Sequence, residues 1–321
     1  MKYKKLIASF TMIQIFFLIF FSLTCHAVSA DEDQSFISND YLKLVVEHDA
    51  SKQLEYLRFQ LETNLGEEHN SNDDNRSMLY KNFFSGYTTI NINGELFIYG
   101  TGTDTMSPYF DIENYQHVSA QQFNGVEVEQ RLCFDKGFSD LHNDMLKITY
   151  TVKNNIEDAN VGIRIMIDPM LDDDDSGYLK TNDVTFTNEV TFLDSNIPDV
   201  WSLESTVYPE MHAYGKIHSG YIPDKLIFGQ WSSLYDNRWD YNVDDNQNNG
   251  DSAVAFLWNE KTIRMGESNT YTAYYGVKNY SSLSPATGTT NNTIYISVIM
   301  SVSGIFTVAL AIIILRKCRY E

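Results

Sequence analysis

The densest group of residues able to do chemistry is an acidic run in the middle of the chain, Asp168 to Gly177. Calcium takes about six to eight oxygen ligands, and acidic side chains at alternate positions before a turn glycine wrap oxygens around such an ion. Counted from the first of four consecutive aspartates, this spacing predicts a calcium loop with the ligands Asp172, Asp174, Ser176 and Asp183. The segments on either side of this loop have the pattern of strands, and the basic Lys180 falls inside the loop. Both observations favour the alternative of a solvated acidic loop.

A second group is aromatic. Four rings follow one another closely, interleaved with aspartate, asparagine and arginine: Trp231, Tyr235, Trp239 and Tyr241. An apolar platform with amide and carboxylate groups at its rim is what a neutral sugar ring needs. These rings are therefore candidate contacts for a sugar or a peptide. The alternative is that they cover the core, as we expect for Trp258 at the end of an apolar strand.

No catalytic set is recognisable. The histidines show no metal-binding spacing, and there is no nucleophile elbow or phosphate-binding glycine loop. Cys133 falls in an apparent strand, as a buried small hydrophobe would. A glycoside hydrolase needs two carboxylates placed by the fold, and with 43 acidic residues the spacing selects none. We therefore predict no catalytic residues.

Short alternating segments would position these groups. Asn93-Gly94 between two of them is a strong hairpin signal. There is no long amphipathic helix between the two ends of the chain, and parallel strands would need crossover helices. The pattern predicts an all-β, antiparallel β-sandwich. The predicted strands are Tyr41–Glu47, Leu54–Leu61, Tyr87–Ile92, Glu95–Tyr99, Val126–Phe134, Leu146–Val152, Val161–Ile167, Val184–Phe192, Lys225–Gly229, Ala253–Trp258 and Thr270–Val277.

The amino end has the pattern of a secretory signal peptide over residues 1–30. Three lysines precede an apolar stretch, and Val28-Ser29-Ala30 offers small residues before an acidic block. Cleavage after Ala27 is an alternative site, and an uncleaved anchor helix is the alternative structure. We expect the exported domain to span 31–283.

The carboxyl end has three parts: Ser284-Pro285-Ala286-Thr287-Gly288, an uncharged apolar run at 294–315, and a basic tail at 316–321. The run is long enough for a transmembrane helix with a cytoplasmic tail. This order resembles the cell-wall sorting signal of Gram-positive surface proteins, although Ser284 stands where that family has leucine. The resemblance implies cleavage between Thr287 and Gly288 by sortase and attachment to peptidoglycan. An ordinary single-pass membrane protein is the alternative.

The exported part also resembles a group of uncharacterised bacterial exported proteins, on segments such as "VGIRIMIDPMLDDDDSG" and "YTAYYGV". The resemblance implies a sandwich close to the galactose-mutarotase-like supersandwich. It brings no assigned chemistry, and the mutarotase pattern of paired histidines and a carboxylate base is not recognisable here.

The formal net charge of −20 argues against nucleic acid as a partner and leaves calcium or neutral glycans as candidate partners, with solubility alone as the alternative explanation of the charge. Cys133 is alone in the exported part, so no disulfide within it is expected. The leading hypothesis is a non-enzymatic protein of the cell wall or membrane whose exported domain binds glycan or another extracellular ligand. The alternatives are a carbohydrate-active enzyme, either an epimerase or a hydrolase, and a passive wall component.

Overall fold

The alternating segments build antiparallel sheets in the computed structural model, which describes residues 36–64, 75–137, 142–181, 184–208, 211–217 and 220–277. The strands are β1 (Phe36–Ser38), β2 (Leu42–Val46), β3 (Phe59–Thr63), β4 (Tyr87–Ile92), β5 (Glu95–Ile98), β6 (Thr103–Asp111), β7 (Gln116–Phe123), β8 (Val126–Asp135), β9 (Met145–Asn154), β10 (Ala159–Ile167), β11 (Tyr178–Thr181), β12 (Val184–Phe186), β13 (Val190–Leu193), β14 (Val200–Glu204), β15 (His212–Lys216), β16 (Lys225–Gln230), β17 (Ser252–Ile263) and β18 (Ser268–Val277). The described helical elements are a 3₁₀ turn at Asp194–Asn196 and a short helix α1 at Trp231–Asp236.

The strands form three sheets with the orders β1-β2-β3, β13-β16-β17-β10-β4-β5 and β12-β11-β14-β15-β18-β9-β8-β7-β6. Every strand pair in them is antiparallel. The prediction of an all-β, antiparallel β-sandwich is confirmed.

The core lies between the six-stranded and nine-stranded sheets. Trp201 on β14 is fully buried and packs its ring 5.9 Å from Phe228 of the opposite sheet. The same indole stacks on Tyr275 of β18 at 5.7 Å. Strand β8 alternates strictly between buried and half-buried positions, because only one of its faces meets the core. Trp258 is buried in this core, as predicted.

The six-stranded sheet is covered on both faces. Most positions of β4, β10 and β17 are buried, whereas β8 of the nine-stranded sheet has only one buried face. Its outer face carries a second apolar cluster that includes Met166, Ile227 and Leu234. Helix α1 and the segment after it cover that face. This covering explains why β10 reads as a continuous apolar run rather than an alternating one.

The Asn93-Gly94 hairpin is confirmed between β4 and β5. Both turn residues have positive φ, 53° for Asn93 and 88° for Gly94, as a type I′ turn requires.

Two predicted strands are wrong in part. Residues 51–57 form turns rather than the start of a strand at Leu54, whose side chain is 67% exposed. The backbone N–H groups of Glu55 and Tyr56 both bond back to the carbonyl of Lys52, which closes a turn. Strand β3 begins only at Phe59.

The predicted strand Val184–Phe192 is in fact two strands in different sheets. Its first part, β12, pairs with β11 in the nine-stranded sheet. Its second part, β13, pairs with β16 in the six-stranded sheet. Asn188 forms an isolated bridge to Asn248 between them, so the chain changes sheets within a segment whose alternation looks continuous.

The predicted signal peptide and the predicted sorting signal lie outside the described residues. The chain divides into two units, Met1–Gln34 and Ser35–Glu321, and every described residue belongs to the second. Among the described residues, no helix has the length and apolarity needed to cross a membrane. Cys133 is a free, half-buried cysteine.

Candidate functional site

Antiparallel pairing brings two distant aspartates to the same end of the six-stranded sheet. Asp168 directly follows the last residue of β10, and Asp251 directly precedes the first residue of β17. Ile167 pairs with Val254 in the register of these strands. Side chains just beyond one strand end and just before the other strand's start therefore become neighbours.

A third carboxylate, Asp175, reaches the same place from the loop between β10 and β11. The loop is held by its neighbour Asp174, which is 3% exposed. One oxygen of Asp174 accepts hydrogen bonds from the backbone and the hydroxyl of Ser176. The other accepts bonds from Ser205 Oγ at 2.6 Å and from Thr206 N at 2.6 Å, with further donors from Thr206 Oγ1 and Val207 N.

These bonds decide the charge state of Asp174. Burial acts to raise its pKa, but the donors of Ser205 and Ser176 outweigh that effect and hold the pKa of Asp174 well below its usual range. The loop is thus tied to the segment after β14 by a charged carboxylate. Asp175, next in sequence, is left to face the other two aspartates.

The three carboxylates line an open cavity of about 120 Å³ with three aromatic side chains, Tyr80, Phe84 and Trp231. We call this feature, with the six residues that line it, the acidic cavity. The backbone N–H of Trp231 donates to the carbonyl of Asp251 at 2.6 Å. The indole Nε1–H donates to the carbonyl of Ser85 at 3.0 Å, which fixes the ring as one wall.

The loop that carries Tyr80 and Phe84 is held by two side chains from the β3 region. Gln60 donates to the carbonyl of Tyr80 at 2.7 Å, and Arg58 donates to the carbonyl of Phe84. The backbone N–H of Tyr80 also bonds to the carbonyl of Asp168 at 2.9 Å. The loop that carries these two aromatic walls is therefore fixed by hydrogen bonds to Gln60 of β3, to Arg58 just before β3 and to Asp168.

The electrostatics of the acidic cavity are unusual. One carboxylate oxygen from each of the three aspartates lies within 4.8 Å of the others. Burial, followed by the charge of Asp175, raises the pKa of Asp168 well above its usual range, while the hydroxyl of Ser85 acts in the opposite direction. Burial, followed by the charges of Asp251 and Asp174, raises the pKa of Asp175 to about 6. Burial also raises the pKa of Asp251.

No protein cation compensates this charge within the described residues. None of the ion pairs there includes Asp168, Asp175 or Asp251. Asp168 is 3% exposed, yet its Oδ1 has no hydrogen-bond partner, and Oδ1 of Asp175 is in the same state. Buried polar atoms are nearly always paired, so these two mark a place where a ligand atom is expected.

Three of the four residues of the predicted calcium loop, Asp172, Asp174 and Ser176, are among the described residues. Both carboxylate oxygens of Asp174 accept hydrogen bonds from protein donors, and Ser176 is one of these donors. Asp172 has a positive φ of 58°, and its backbone N–H bonds to the carbonyl of Ser77. Asp183 lies outside the described residues. The calcium set stays a prediction, but the carboxylates that share a cavity are others.

The predicted aromatic group divides between roles. Trp231 lines the acidic cavity, and its ring lies 4.9 Å from that of Tyr235. Tyr235 packs edge-on against Tyr87 at 5.3 Å, on the outer face of the six-stranded sheet. Tyr241 donates its hydroxyl to the buried Glu189 at 2.7 Å. Trp239 sits over Gly162, where an added Cβ would meet its ring at 2.7 Å.

Sequence reasoning missed most of the acidic cavity. It singled out the acidic run but not Asp168 or Asp175 within it as ligands, and it gave no role to Asp251, Tyr80 or Phe84. Two signals were readable: Asp168 directly follows the predicted strand Val161–Ile167, and Asp251 stands two residues before the predicted strand Ala253–Trp258, at the end of a polar loop that follows the aromatic group. The pentapeptide Ser284 to Gly288 lies outside the described residues.

Comparisons with known proteins leave the family open. No family model matches the chain, and no curated protein matches it. Among solved structures, it is similar to a 4-α-glucanotransferase from Thermococcus litoralis, with 9% identity, a TM-score of 0.38, and coverage of 78% of this chain and 39% of that one. It is also similar to heparinase III, with 10% identity, a TM-score of 0.33, and coverage of 74% and 34%. The chain thus spans well under half the length of either structure.

Proposed function

We propose that this is an exported surface protein whose β-sandwich binds a carbohydrate in the acidic cavity. The observation that carries the proposal is the meeting of three carboxylates without protein cations and a fixed indole ring in one open cavity. Binding sites of this type combine apolar and aromatic walls with a few convergent polar groups.

The chemistry suits a sugar ring. The face of Trp231 offers an apolar platform, and its Nε1–H is already used by Ser85, so the ring serves by its surface. Hydroxyl groups of a sugar are hydrogen-bond donors, and Asp168 and Asp175 each have a buried oxygen that lacks a donor. Binding would therefore remove an unfavourable feature of the free protein.

The setting of this domain is part of the proposal. A signal peptide at 1–30 would export it, and the sorting signal at 284–321 would present it on the cell wall through sortase, or on the membrane through 294–315. The fine architecture is proposed to be of the supersandwich type, on the resemblance of the segments quoted above. The negative charge fits a partner that is a glycan or a protein surface, and not a nucleic acid.

A carbohydrate-active enzyme is the second candidate, and one observation favours it. Retaining glycosidases hold their two carboxyl groups about 5–5.5 Å apart. One oxygen of each of Asp168, Asp175 and Asp251 lies within 4.8 Å of the others, which is shorter than the spacing of about 6.5–9.5 Å in inverting enzymes. A passive wall component is the third candidate, and it requires neither binding nor turnover.

A glycan array probed with the full-length chain tests the proposal. We expect a set of bound glycans whose signal falls in Asp251→Asn and stays in Asp173→Asn, since Asp173 is in the same acidic run but its side chain is 71% exposed. Incubation of each bound glycan with the protein, followed by chromatography, separates the candidates. Release of product supports the enzyme, and no binding to any glycan leaves the passive component.

A further inference from the structure

The acidic cavity has more negative charge than a sugar alone would compensate. Three carboxylates converge from β10, β17 and the loop after β10, with one oxygen of each within 4.8 Å of the others. Like charges at this distance repel. The repulsion is relieved either by protonation, in line with the raised pKa of Asp168, or by a positive charge from outside the described protein groups.

A cluster of acidic side chains alone does not make a site, since such clusters are common on surfaces. Here a second observation points to a ligand. Asp168 is 3% exposed and lines the cavity, and its Oδ1 has no hydrogen-bond partner. An exposed carboxylate is fully accessible to water, whereas this oxygen is buried and receives no hydrogen bond from a protein donor.

The neighbouring aspartate shows the contrast. Asp174 is equally buried, but protein donors occupy both of its oxygens. The fold can thus satisfy a buried carboxylate in this loop with its own groups. It does so for Asp174 and leaves one buried oxygen each of Asp168 and Asp175, two residues that line the cavity, without a protein donor.

We propose that the acidic cavity binds a calcium ion through Asp168, Asp175 and Asp251. All three ligands are carboxylate oxygens, the ligands that calcium and magnesium prefer. The group contains no histidine or cysteine, the ligands that zinc prefers. Calcium–oxygen distances of about 2.4 Å allow two ligand oxygens to lie up to about 4.8 Å apart, so a group whose oxygens lie within 4.8 Å of one another can bind one calcium ion. Magnesium is usually held by one or two carboxylates and keeps several waters, so three carboxylates in one group favour calcium.

Calcium takes about six to eight oxygen ligands. Three carboxylates provide fewer than that when at least one of them binds through a single oxygen. The open side of the cavity would supply the rest from water. Hydroxyl oxygens of a sugar stacked on Trp231 could replace that water. This role of the ion, as a bridge to the sugar, rests on the proposed function, whereas the binding of the ion does not.

Calcium binding is tested on the full-length chain, stripped with a chelator and titrated with calcium chloride in a calorimeter. We expect a site lost or weakened about tenfold or more in Asp168→Asn and in Asp251→Asn, and kept in Asp173→Asn. Each cavity variant removes a repelling charge, so we expect both to fold without calcium. If one fails to fold, Asp175→Asn takes its place.

A second readout locates the ion. Terbium, which replaces calcium at oxygen sites, emits when a nearby indole absorbs light. We expect emission with the wild type and little emission with Trp231→Phe, and calorimetry on that variant reports its calcium affinity separately. Emission that persists in Trp231→Phe and disappears in Trp239→Phe would place the ion elsewhere and overturn the proposal.

The outcomes separate this inference from the proposed function. Calcium binding that depends on Asp168 and Asp251, without glycan binding, upholds the ion site and rejects the sugar. Glycan binding that is unchanged by the chelator, in a protein that shows no calcium binding, supports the proposed function and rejects the ion site. Stabilisation by an organic ammonium such as glucosamine, but not by calcium, would also overturn the ion site, because aromatic and acidic walls suit that cation too.

Discussion

The indole Nε1–H of Trp231 donates a 3.0 Å hydrogen bond to the carbonyl oxygen of Ser85. This bond joins the first residue of α1 to the segment before β4 across the end of the six-stranded sheet. The backbone N–H of Trp231 is also bound, to the carbonyl of Asp251, so this residue is held both through its ring and through its backbone. A fixed ring loses little conformational entropy when a ligand packs on it.

Trp231→Ala should therefore weaken glycan binding by about tenfold, equivalent to about 1.4 kcal/mol, since a stacking surface is lost. Titration calorimetry with a glycan identified on the array would measure this change. Trp239→Ala is the matched control, because Trp239 packs over Gly162 and lies outside the acidic cavity. Equal losses in the two variants would contradict the assignment of Trp231 to the site.

Asp174→Asn should destabilise the domain by about 2–3 kcal/mol. The carboxylate accepts bonds from Ser205, Thr206 and Ser176, and the amide can satisfy only part of them. Urea unfolding followed by tryptophan fluorescence would measure the difference. Asp173→Asn, which removes only an exposed pair with Lys81, should change stability by less than about 1 kcal/mol.

Gly215→Ala should destabilise the sandwich by about 2–3 kcal/mol or prevent folding. A Cβ on Gly215 would overlap the indole of Trp201, which is fully buried between the two sheets. Gly266→Ala is the control: nothing lies near its Cβ position, so only its positive φ of 83° costs stability, about 1 kcal/mol. A smaller effect at Gly215 than at Gly266 would contradict the packing described for the core.

Acid should destabilise the fold through His117. This ring is fully buried with Nε2 3.0 Å from that of His48, and burial, followed by the nearby His48, lowers the pKa of His117 from 6.5 to about 3. Below pH 6.5 the unfolded chain takes up a proton that the folded chain does not. Stability is then lost as the pH falls from 6.5 toward 3, by up to about 1.4 kcal/mol per pH unit.

The measurement is urea unfolding across this pH range for the wild type and for His117→Gln, which cannot titrate. We expect that variant to lose less stability than the wild type as the pH falls. If His117→Gln keeps the slope of the wild type, the acid sensitivity has another source.

Sequence reasoning predicted most of the sandwich because local signals and the final fold agree there. Asn93-Gly94 requires positive φ at both positions, and the strict alternation of β8 follows from having one face on the core. It was wrong at Leu54, where an alternating segment closes a turn instead. It was also wrong at Asn188, where the chain leaves one sheet for the other.

The acidic cavity could not be predicted in the same way, because its members meet through strand register. Asp168 and Asp251 are neighbours only because Ile167 pairs with Val254, and spacing along the chain holds no trace of that pairing. Alternation in the acidic run pointed to Asp174, but its side chain serves the loop. The residue beside it, Asp175, faces the cavity.

The most direct test of the acidic cavity as the binding site is the glycan array repeated with the full-length wild type and with Asp251→Asn, both in calcium. We expect the wild type to bind a defined set of glycans and Asp251→Asn to lose most of this signal. Binding of the same glycans at the same strength by both proteins would contradict it.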